Sequence, residues 1–399
     1  MKKIGFVTPW YGENIPGGAE AALRDITNHL FQAGMKIEIL STCVKEFQSN
    51  WNCNYYKPGI TYESGGIKVQ RFKVRKRNTA AFDQVNLKLM QHRMPISPSE
   101  EEIYVREMIN SPDLYAYIRT HKDEYSAFVF IPYMFGTTYY GVQECLEKAV
   151  MIPCFHDESY IYMKNFRNVF SKVAGMMFNA QPEADLTAQV YDLSNVKTEV
   201  MGLGVDTHLT FDAKRFRDKY KITEPFFLYA GRKDVGKNIY TLIDYYHEYV
   251  YRKDTNLKLV LLGGGNIKIP AALKDRVIDI GFVPIQDKYD AYAAAEFLCQ
   301  PSKNESFSYV IMESWLCERP VLVHKQCNVT ENFARVSNGG LCFDNYFEFE
   351  GVVDYILEHP AEAKVMAMQG KKYVLDNFDW DVMIQKYRRY FAELCGEDN

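Results

Sequence analysis

The stretch PFFLYAG at residues 225–231 decides the fold class, because it places five apolar residues between a proline and a glycine. A short apolar run with turn residues at both ends is typical of a strand buried on both faces of a parallel sheet. The sequence KIGFVT at residues 3–8 shows the same pattern before Pro9. In both halves of the chain such runs alternate with stretches of helical periodicity. This predicts two doubly wound α/β sheets in tandem, with their facing edges free to form a cleft.

The predicted strands form two sets, separated by a linker at Gly202–Thr210 that carries two glycines and no clear period. We therefore expect a Rossmann-like domain at residues 1–206, a second one at residues 207–377, and a final helix at residues 378–394 that returns to the first domain. The predicted strands are Lys3–Thr8, Lys36–Thr42, Lys68–Val74, Ala127–Ile131, Met151–Phe155 and Gly175–Phe178, followed by Phe226–Ala230, Lys258–Leu262, Val277–Gly281, Phe297–Gln300 and Pro320–His324.

Composition excludes several classes of protein. The chain has 399 residues of which 47% are hydrophobic, enough for a full core in each domain, so a disordered chain is excluded. A formal net charge of −4 provides no positive field for a polyanion, so we expect no nucleic-acid partner. Nine cysteines without a C-x-x-C pair indicate buried thiols in a reduced compartment. No apolar run is long enough to span a bilayer, which predicts a cytoplasmic protein with at most peripheral contact at the inner face of the membrane.

The segment at residues 75–121 fits neither sheet. It is polar, contains Pro95, Pro98 and Pro112, and is long for a connector, with one predicted helix at Glu100–Met108. Two interpretations stay open, acceptor contact and a mobile insertion.

The densest group of polar residues is PSKNESFSYVIME at residues 301–313. A helix is predicted to begin near Ser306, so the backbone N–H groups of residues 306–309 would point out of the helix start and suit an anionic phosphate. Glu305 and Glu313 are eight residues apart. On a helix this is about 12 Å, more than the roughly 5–9.5 Å between the paired carboxyls of a glycosidase. We interpret them as hydroxyl-binding groups at opposite ends of a long ligand, such as a nucleotide sugar. A cap and a solvated helix position are the structural alternative.

A second polar group, GRKDVGKN at residues 231–238, follows the first strand of the second set directly. Gly231 allows a sharp turn, and Arg232 with Lys237 would place two cations where they can neutralise a departing diphosphate. The P-loop pattern is absent, and a solvated basic turn is the alternative.

Two glycine turns are further candidates. Gly17 and Gly18 precede a predicted helix at Ala19–Ala33 and would allow close approach of a phosphate or sugar, although G-x-G-x-x-G is absent. Gly264 lies in a three-glycine run after the second strand of the second set, where it would admit a base. Plain turns are the alternative for both.

These groups occur in one order along the chain, together with FHD at residues 155–157, GVD at residues 204–206 and RPV at residues 319–321. In this combination the sequence resembles the retaining GT-B glycosyltransferases of family 4. The resemblance covers essentially the whole chain. Its most specific part is Pro301-Ser302 followed by two glutamates with seven residues between them.

The resemblance implies a retaining transfer of a sugar from a nucleoside diphosphate sugar to a hydroxyl of a glycan or lipid-linked glycan acceptor, in cell-surface polysaccharide synthesis. It implies that the N-terminal domain binds the acceptor and the C-terminal domain the donor, without a metal or other cofactor. The implied catalytic residues are Arg232 and Lys237 at the diphosphate, Glu305 beside the donor sugar and His156 near the transferred sugar. The implied donor-binding residues are Gly17, Gly18, Gly231, Gly264, Ser306, Phe307, Ser308, Tyr309 and, at the ribose, Glu313.

Alternatives to this function remain open at the level of the sequence. Ser306 stands where the family usually has glycine. One rival function therefore remains, a catalytically silent GT-B subunit that binds nucleotide sugar or glycan. A phosphorylase that uses inorganic phosphate as acceptor is a second rival. His156-Asp157-Glu158 imitates a metal triplet, but adjacent side chains on an extended segment point to opposite faces. The basic run at residues 71–77 could meet anionic lipid, and is interpreted more simply as the solvated face of a strand and its exit turn.

Overall fold

Two α/β units make up the chain, and the computed structural model describes residues 2–13, 15 and 17–396. Unit 1 contains the described residues up to Gly204 together with those from Asp381 onward. Unit 2 is Val205–Trp380. The division runs close to the boundaries expected after residues 206 and 377.

An eight-stranded sheet forms the centre of unit 1. Its strands are β1 (Lys3–Thr8), β2 (Ile37–Thr42), β3 (Gly59–Tyr62), β4 (Lys68–Phe72), β5 (Tyr125–Phe130), β6 (Ala149–Met151), β7 (Gly175–Phe178) and β8 (Lys197–Val200). The order across the sheet is β3-β4-β2-β1-β5-β6-β7-β8, and only β3 pairs antiparallel. The central strands are buried on both faces, as the unbroken apolar runs predicted.

Seven α-helices accompany this sheet within the described part of the first 204 residues. They are α1 (Gly18–Gln32), α2 (Thr79–Met90), α3 (Pro98–Glu107), α4 (Pro112–His121), α5 (Gly136–Gln143), α6 (Lys164–Phe170) and α7 (Gln181–Val190). Helix α1 shows how the pattern works, because Ala22, Leu23, Ile26 and Leu30 recur at helical spacing and are buried.

Unit 2 has a six-stranded sheet that is parallel throughout. Its strands are β9 (Phe226–Ala230), β10 (Lys258–Leu262), β11 (Val277–Gly281), β12 (Leu298–Gln300), β13 (Val321–His324) and β14 (Gly340–Phe343), and its helices are α8 (Ala213–Tyr220), α9 (Ile239–Arg252), α10 (Ile285–Ala294), α11 (Tyr309–Leu316), α12 (Asn328–Ser337), α13 (Tyr346–Glu358) and α14 (Pro360–Phe378). The order across the sheet is β11-β10-β9-β12-β13-β14.

The last helix, α15 (Trp380–Cys395), belongs to unit 1 from Asp381 onward. The Tyr390 hydroxyl donates a hydrogen bond to the carbonyl of Lys197 at 3.0 Å, and Arg389 forms an ion pair with Glu199 at 2.9 Å. The end of the chain is thereby attached to the β8 edge of the first sheet.

The segment at residues 75–121 packs into unit 1, so the interpretation as a mobile insertion is wrong, whereas the helix predicted at Glu100–Met108 is confirmed as α3. The segment forms α2, α3 and α4, and buries Phe82, Leu89, Tyr104 and Val105 in the core of unit 1. Pro98 and Pro112 stand in the first turns of helices, where proline is tolerated because the missing N–H has no helical partner there. The prolines therefore start helices instead of interrupting them.

Strands that the sequence did not reveal lie at sheet edges. β3 and β8 are the two edges of the first sheet, and β14 is one edge of the second. Edge strands are covered less, so β3 and β8 carry mostly exposed residues and lack an apolar run. One predicted strand is largely absent. β6 ends at Met151, so the predicted strand Met151–Phe155 is mostly a loop.

The basic run at residues 71–77 is not a solvated face throughout, which corrects the interpretation above. Arg71 is buried, and its guanidinium donates to the Tyr11 carbonyl at 2.9 Å. Arg77 donates to the Glu107 carbonyl at 2.9 Å and lies over the ring of Trp51. These two cations therefore bind groups within unit 1.

Within the described chain, no helix combines the length and apolarity needed to cross a bilayer.

Candidate active site

The candidate site of unit 2 lies where the strand order of its sheet reverses. The chain runs from β9 outward through β10 to β11, then returns to place β12 on the other side of β9. Loops that leave the carboxyl ends of two such neighbouring strands diverge, and the crevice between them is the usual ligand site of an open α/β sheet. The loops after β9 and β12 are those that carry the GRKDVGKN and PSKNES sequences.

The loop after β9 has a defined turn. The Asp234 carboxylate accepts the backbone N–H of Lys237 at 3.0 Å, which caps a short turn at Val235–Lys237. Asn238 then adopts a left-handed conformation, and its side-chain amide donates to the carbonyl of Pro301 at 3.0 Å. This bond connects the β9 loop to the start of the β12 loop.

Lys237 and Glu305 meet across the switch point. The Lys237 Nζ donates to Glu305 Oε1 at 2.7 Å, and the Gln300 side-chain amide donates to the same oxygen at 3.3 Å. The Glu305 side chain is 10% exposed and that of Lys237 is 24% exposed. Lys237 and Glu305, both predicted as site residues, are 68 positions apart in the sequence. In the structure they form a half-buried ion pair.

Arg232 is placed differently. Its side chain is 74% exposed and lies 3.4 Å from the Asp234 carboxylate. The Tyr229 hydroxyl donates to the carbonyl of Arg232 and so holds the backbone of that residue. Arg232 therefore stands on the same loop as Lys237, with a guanidinium that faces water in this structure.

Lys233 is a residue that sequence reasoning missed. It is 4% exposed, and its Nζ lies 2.5 Å from the Asp279 carboxylate in β11. Its backbone N–H donates to the carbonyl of Gly264 at 2.7 Å. Asp279 is the middle residue of β11, so Lys233 connects the loop after β9 to the loop after β10 and to the strand β11 itself. In the sequence it is one cation of a charged turn, and nothing there marks it as buried.

Glycines are required after β10 because other parts of the chain lie very close to the backbone there. Gly263 has φ 112°, and a Cβ at this position would lie 2.2 Å from the carbonyl oxygen of Gly231. A Cβ on Gly264 would lie 2.5 Å from the ring of Phe282. Phe282 follows β11 and is 86% exposed, so an open aromatic surface lies next to a residue without a side chain.

Glu313 lies on α11 and is held by α10. Its Oε1 accepts from Lys288 Nζ at 2.6 Å and its Oε2 accepts from the Tyr292 hydroxyl at 3.0 Å. Burial raises the pKa of Tyr292, so the phenol stays protonated and donates. Both carboxylate oxygens keep a free lone-pair direction, because an ionised carboxylate offers about four acceptor sites.

The helix start at residues 306–309 differs from the prediction. α11 begins at Tyr309, with Ser308 in the left-handed region at φ 87°, so Ser306 and Phe307 still belong to the loop. The helical rise expected between the two glutamates therefore does not apply. The Phe307 ring is buried between Phe333 and Phe378, so only its backbone could contact a donor. The Ser308 hydroxyl oxygen is buried and has no hydrogen-bond partner among the described residues.

The remaining predicted residues lie in unit 1. Gly17 precedes α1 with φ 136°, and a Cβ there would overlap the Glu20 carboxylate at 1.9 Å. Gly18 is the first residue of α1. His156 lies in the loop after β6, and the two residues that follow it have separate partners. Asp157 accepts from the Tyr162 hydroxyl at 2.7 Å and Glu158 from the Tyr133 hydroxyl at 2.9 Å, which is not the geometry of a metal triplet.

Comparison with known proteins identifies the class of unit 2. Residues 211–373 match the family model described as Glycosyl transferases group 1, so this part of the chain is a Glycosyl transferases group 1 domain. A curated relative, the D-inositol 3-phosphate glycosyltransferase of Saccharomonospora viridis, is 27% identical over 174 residues, which cover 39% of this chain and 40% of that protein. The match thus spans well under two thirds of the length of the relative.

Solved structures resemble the whole chain. Sucrose-phosphate synthase from Thermosynechococcus elongatus has a TM-score of 0.69 at 15% identity, covering 100% of both chains. The Anabaena protein HepE in complex with UDP has a TM-score of 0.69 at 16% identity, covering 98% of this chain and 100% of that one. A trehalose 6-phosphate synthase from Burkholderia multivorans has a TM-score of 0.71 at 9% identity, covering 99% of each chain. The predicted fold class is confirmed: the two parallel-sheet α/β domains have the GT-B fold.

Proposed function

We propose that this chain is a glycosyltransferase that moves a sugar from a nucleoside diphosphate sugar to a hydroxyl group of a glycan or lipid-linked glycan, with retention of configuration. The observation that carries the proposal is the ion pair of Lys237 and Glu305 at the switch point of unit 2. It places a cation and a carboxylate at the carboxyl ends of two neighbouring strands, within a Glycosyl transferases group 1 domain.

The chemistry that this pair supports is departure of a diphosphate. The bond between the anomeric carbon and the diphosphate oxygen breaks, a bond from that carbon to the acceptor oxygen forms, and the acceptor proton leaves with the diphosphate. An ammonium has three N–H donors, so Lys237 can keep its bond to Glu305 and donate to a phosphate oxygen as well. Arg232, exposed on the same loop, adds a second cation. Charge stabilisation of this kind is the reason for proposing transfer without a metal or other cofactor.

The nucleotide half of the donor is assigned to the neighbouring loops. Glu313 retains acceptor capacity for ribose hydroxyls beyond its bonds to Lys288 and Tyr292. The exposed Phe282 ring beside Gly264 offers a flat surface for a base. The Anabaena protein HepE, which has the same fold, forms a complex with UDP, and this supports a nucleotide donor.

Other parts of the proposal come from the family resemblance. They are the acceptor role of the N-terminal domain, His156 near the transferred sugar, Gly17 and Gly18 at the donor, and Gly231 with residues 306–309 around the phosphates. The resemblance is also the basis for two further proposals. They are a place in cell-surface polysaccharide synthesis and a cytoplasmic location with peripheral membrane contact.

The first experiment is thermal unfolding of the full chain with UDP, GDP, ADP, CMP and dTDP, each at high concentration. A ligand at 100 times its Kd adds about 2.7 kcal/mol, which means a shift of several degrees for a chain of this size. A shift with one nucleotide identifies the base, and turnover is then measured with sugars carried on that base. A shift without turnover would favour the catalytically silent subunit. The absence of a shift with every nucleotide would contradict the donor site.

A further inference from the structure

Glu183 is a buried carboxylate that the proposed mechanism does not use. It is the third residue of α7 and is 2% exposed. Its Oε1 accepts the backbone N–H of Phe155 at 2.8 Å, and its Oε2 accepts the backbone N–H of Asn179 at 2.8 Å. The two donors come from different segments, one after β6 and one after β7. The role therefore exceeds capping of the helix that carries Glu183.

The two segments leave neighbouring strands. β6 and β7 pair in parallel, so their carboxyl ends lie side by side and the chain departs from both at the same edge. One carboxylate that binds an N–H from each segment fixes their separation. The Asn179 side-chain amide also donates to Cys154 Sγ at 3.5 Å, which adds a second connection between the same loops.

The loop at residues 152–158 is strained where Glu183 holds it. Cys154 has φ 58°, a left-handed conformation that costs a residue with a side chain of order 1 kcal/mol and persists only when its surroundings impose it. The next residue, Phe155, is fixed by Glu183 through its N–H and by Tyr133 and Tyr191 through its ring. His156 follows directly, so the position of its backbone is set by the residue before it.

The electrostatic balance of Glu183 agrees with this role. Burial raises the pKa of Glu183 to about 7, and the backbone N–H groups of Asn179, Phe155 and Cys154 act in the opposite direction. Burial of the Glu183 carboxylate carries a desolvation penalty. Hydrogen bonds offset this penalty, and without them the group would destabilise the fold by its full amount.

We propose that Glu183 is a positioning residue that sets the conformation of the loop at residues 152–158, and through it the place of the His156 imidazole. The functional consequence rests on the proposed function, because His156 is assigned to the transferred sugar there. The structural part is independent of that assignment.

Glu101 provides a matched control in the same unit. It is also buried, and its two oxygens also accept backbone N–H groups, from Lys164 at 3.0 Å and Asn165 at 2.8 Å. Both donors belong to the first turn of α6, so Glu101 caps one helix and joins no loops at a strand edge. Each carboxylate accepts backbone N–H groups with both of its oxygens, and only Glu183 binds the loop that carries His156.

The test compares E183Q and E101Q in the full chain by amide hydrogen exchange and by NMR of the histidine imidazoles, with the His156 resonance assigned from H156N. Glutamine has one acceptor oxygen and an NH₂ that would face a backbone donor. We expect E183Q to speed exchange of residues 152–158 at least tenfold and to shift the His156 resonance. E101Q should speed exchange at the start of α6 and leave both readouts at 152–158 unchanged.

Kinetics complete the test with the donor that the wild-type protein turns over. E183Q should lower kcat about tenfold with an unchanged donor KM, whereas E101Q keeps both. Wild-type exchange and an unmoved His156 resonance in E183Q would overturn the proposal, as would identical changes in E183Q and E101Q. If E183Q does not fold, E183D retains the charge and is too short to reach both donors. Wild-type exchange at 152–158 in E183D would then overturn the proposal. If no donor binds, the proposed function fails and the exchange result still decides the role of Glu183.

Discussion

The carboxyl ends of the two sheets are organised in different ways. In unit 2 the connections are ion pairs between side chains: Lys237 with Glu305 joins the loops after β9 and β12, and Lys233 with Asp279 joins the β9 loop to β11. In unit 1 the corresponding connection is made by one carboxylate, Glu183, to backbone N–H groups. An ammonium in an ion pair has further donors for an anionic ligand, whereas the two oxygens of Glu183 already bind the chain itself. We therefore propose the side chains of unit 2 as ligand-binding groups, whereas in unit 1 the buried carboxylate of Glu183 fixes the geometry of the loops.

The largest effect is expected for Lys237→Ala. Removing a cation that stabilises a departing diphosphate lowers kcat about 100-fold, in the range seen for loss of one electrostatic donor. Initial rates with the donor found in the unfolding screen measure this. The control is Lys253→Ala, whose ion pair with Asp354 lies at the end of α9 in the same unit. Equal losses in the two variants, or full activity in Lys237→Ala, would contradict a role in the leaving group.

Glu313→Gln should have the next largest effect. The amide offers fewer acceptor sites to ribose hydroxyls, and loss of one hydrogen bond to a charged group corresponds to about a tenfold rise in the nucleotide Kd. Calorimetric titration with the nucleotide that stabilises the wild-type protein gives the value. Glu350→Gln is the control, because Glu350 is also bound by a cation and a tyrosine, Arg252 and Tyr346. A nucleotide Kd that is unchanged in Glu313→Gln removes the ribose assignment.

The pH dependence of stability should distinguish the two units. The Glu183 pKa is raised from 4.5 to about 7 by burial, so between these pH values the folded state keeps a proton that the unfolded state has released. The contribution of Glu183 to the unfolding free energy therefore falls as the pH rises. Relative to Glu183→Gln, the wild-type protein should lose about 2 kcal/mol between pH 5 and 7 in urea unfolding.

Glu350 supplies the comparison in unit 2. Hydrogen bonds from Arg252 and Tyr346 lower its pKa to about 2, so the stability it contributes is lost only as the pH falls from 4.5 towards 2. The difference between wild type and Glu350→Gln should stay constant from pH 5 to 7. A constant difference for Glu183→Gln as well would show that Glu183 titrates normally.

The smallest effect is expected for Gly264→Ala. The new Cβ meets only the ring of Phe282, which is exposed and can turn aside, so Tm should change by about 2 °C or less. The nucleotide Kd should rise about threefold if Phe282 stacks on the base, which is within the range of one aromatic contact. Gly263→Ala, by contrast, meets backbone at a positive φ and should destabilise the unit by about 1–3 kcal/mol. Unaltered nucleotide affinity in Gly264→Ala would place the base elsewhere.

The buried strands and the candidate loops could be predicted because their signals are local. Lys3–Thr8, Gly175–Phe178, Phe226–Ala230, Lys258–Leu262 and Val277–Gly281 have the predicted bounds, since each is a short apolar run next to a turn residue. The missed edge strands β3 and β8 carry no such run, whereas β11, an edge of the second sheet, does. Of the three helices at residues 79–121, α3 was predicted and α2 and α4 were missed. α4 starts at Pro112, and proline is found both in loops and in first helical turns.

Within the candidate site, Lys237 and Glu305 were predicted from their motifs, and their contact follows from the adjacency of β9 and β12 in the sheet. Lys233 and Glu183 were missed, because a lysine in a charged turn and a glutamate in a first helical turn normally face solvent. Whether such a side chain is buried depends on what other segments of the chain place around it.

The sequence by itself determined the α/β class, the positions of most central strands and the loops that carry polar residues, because these depend on residue type and spacing along the chain. Only the tertiary structure decided the strand order, and with it which loops are neighbours. The ion pair of Lys237 with Glu305 and the hydrogen bond from Phe155 to Glu183 each join residues far apart in sequence. Such contacts exist only after the sheet has brought its strands together.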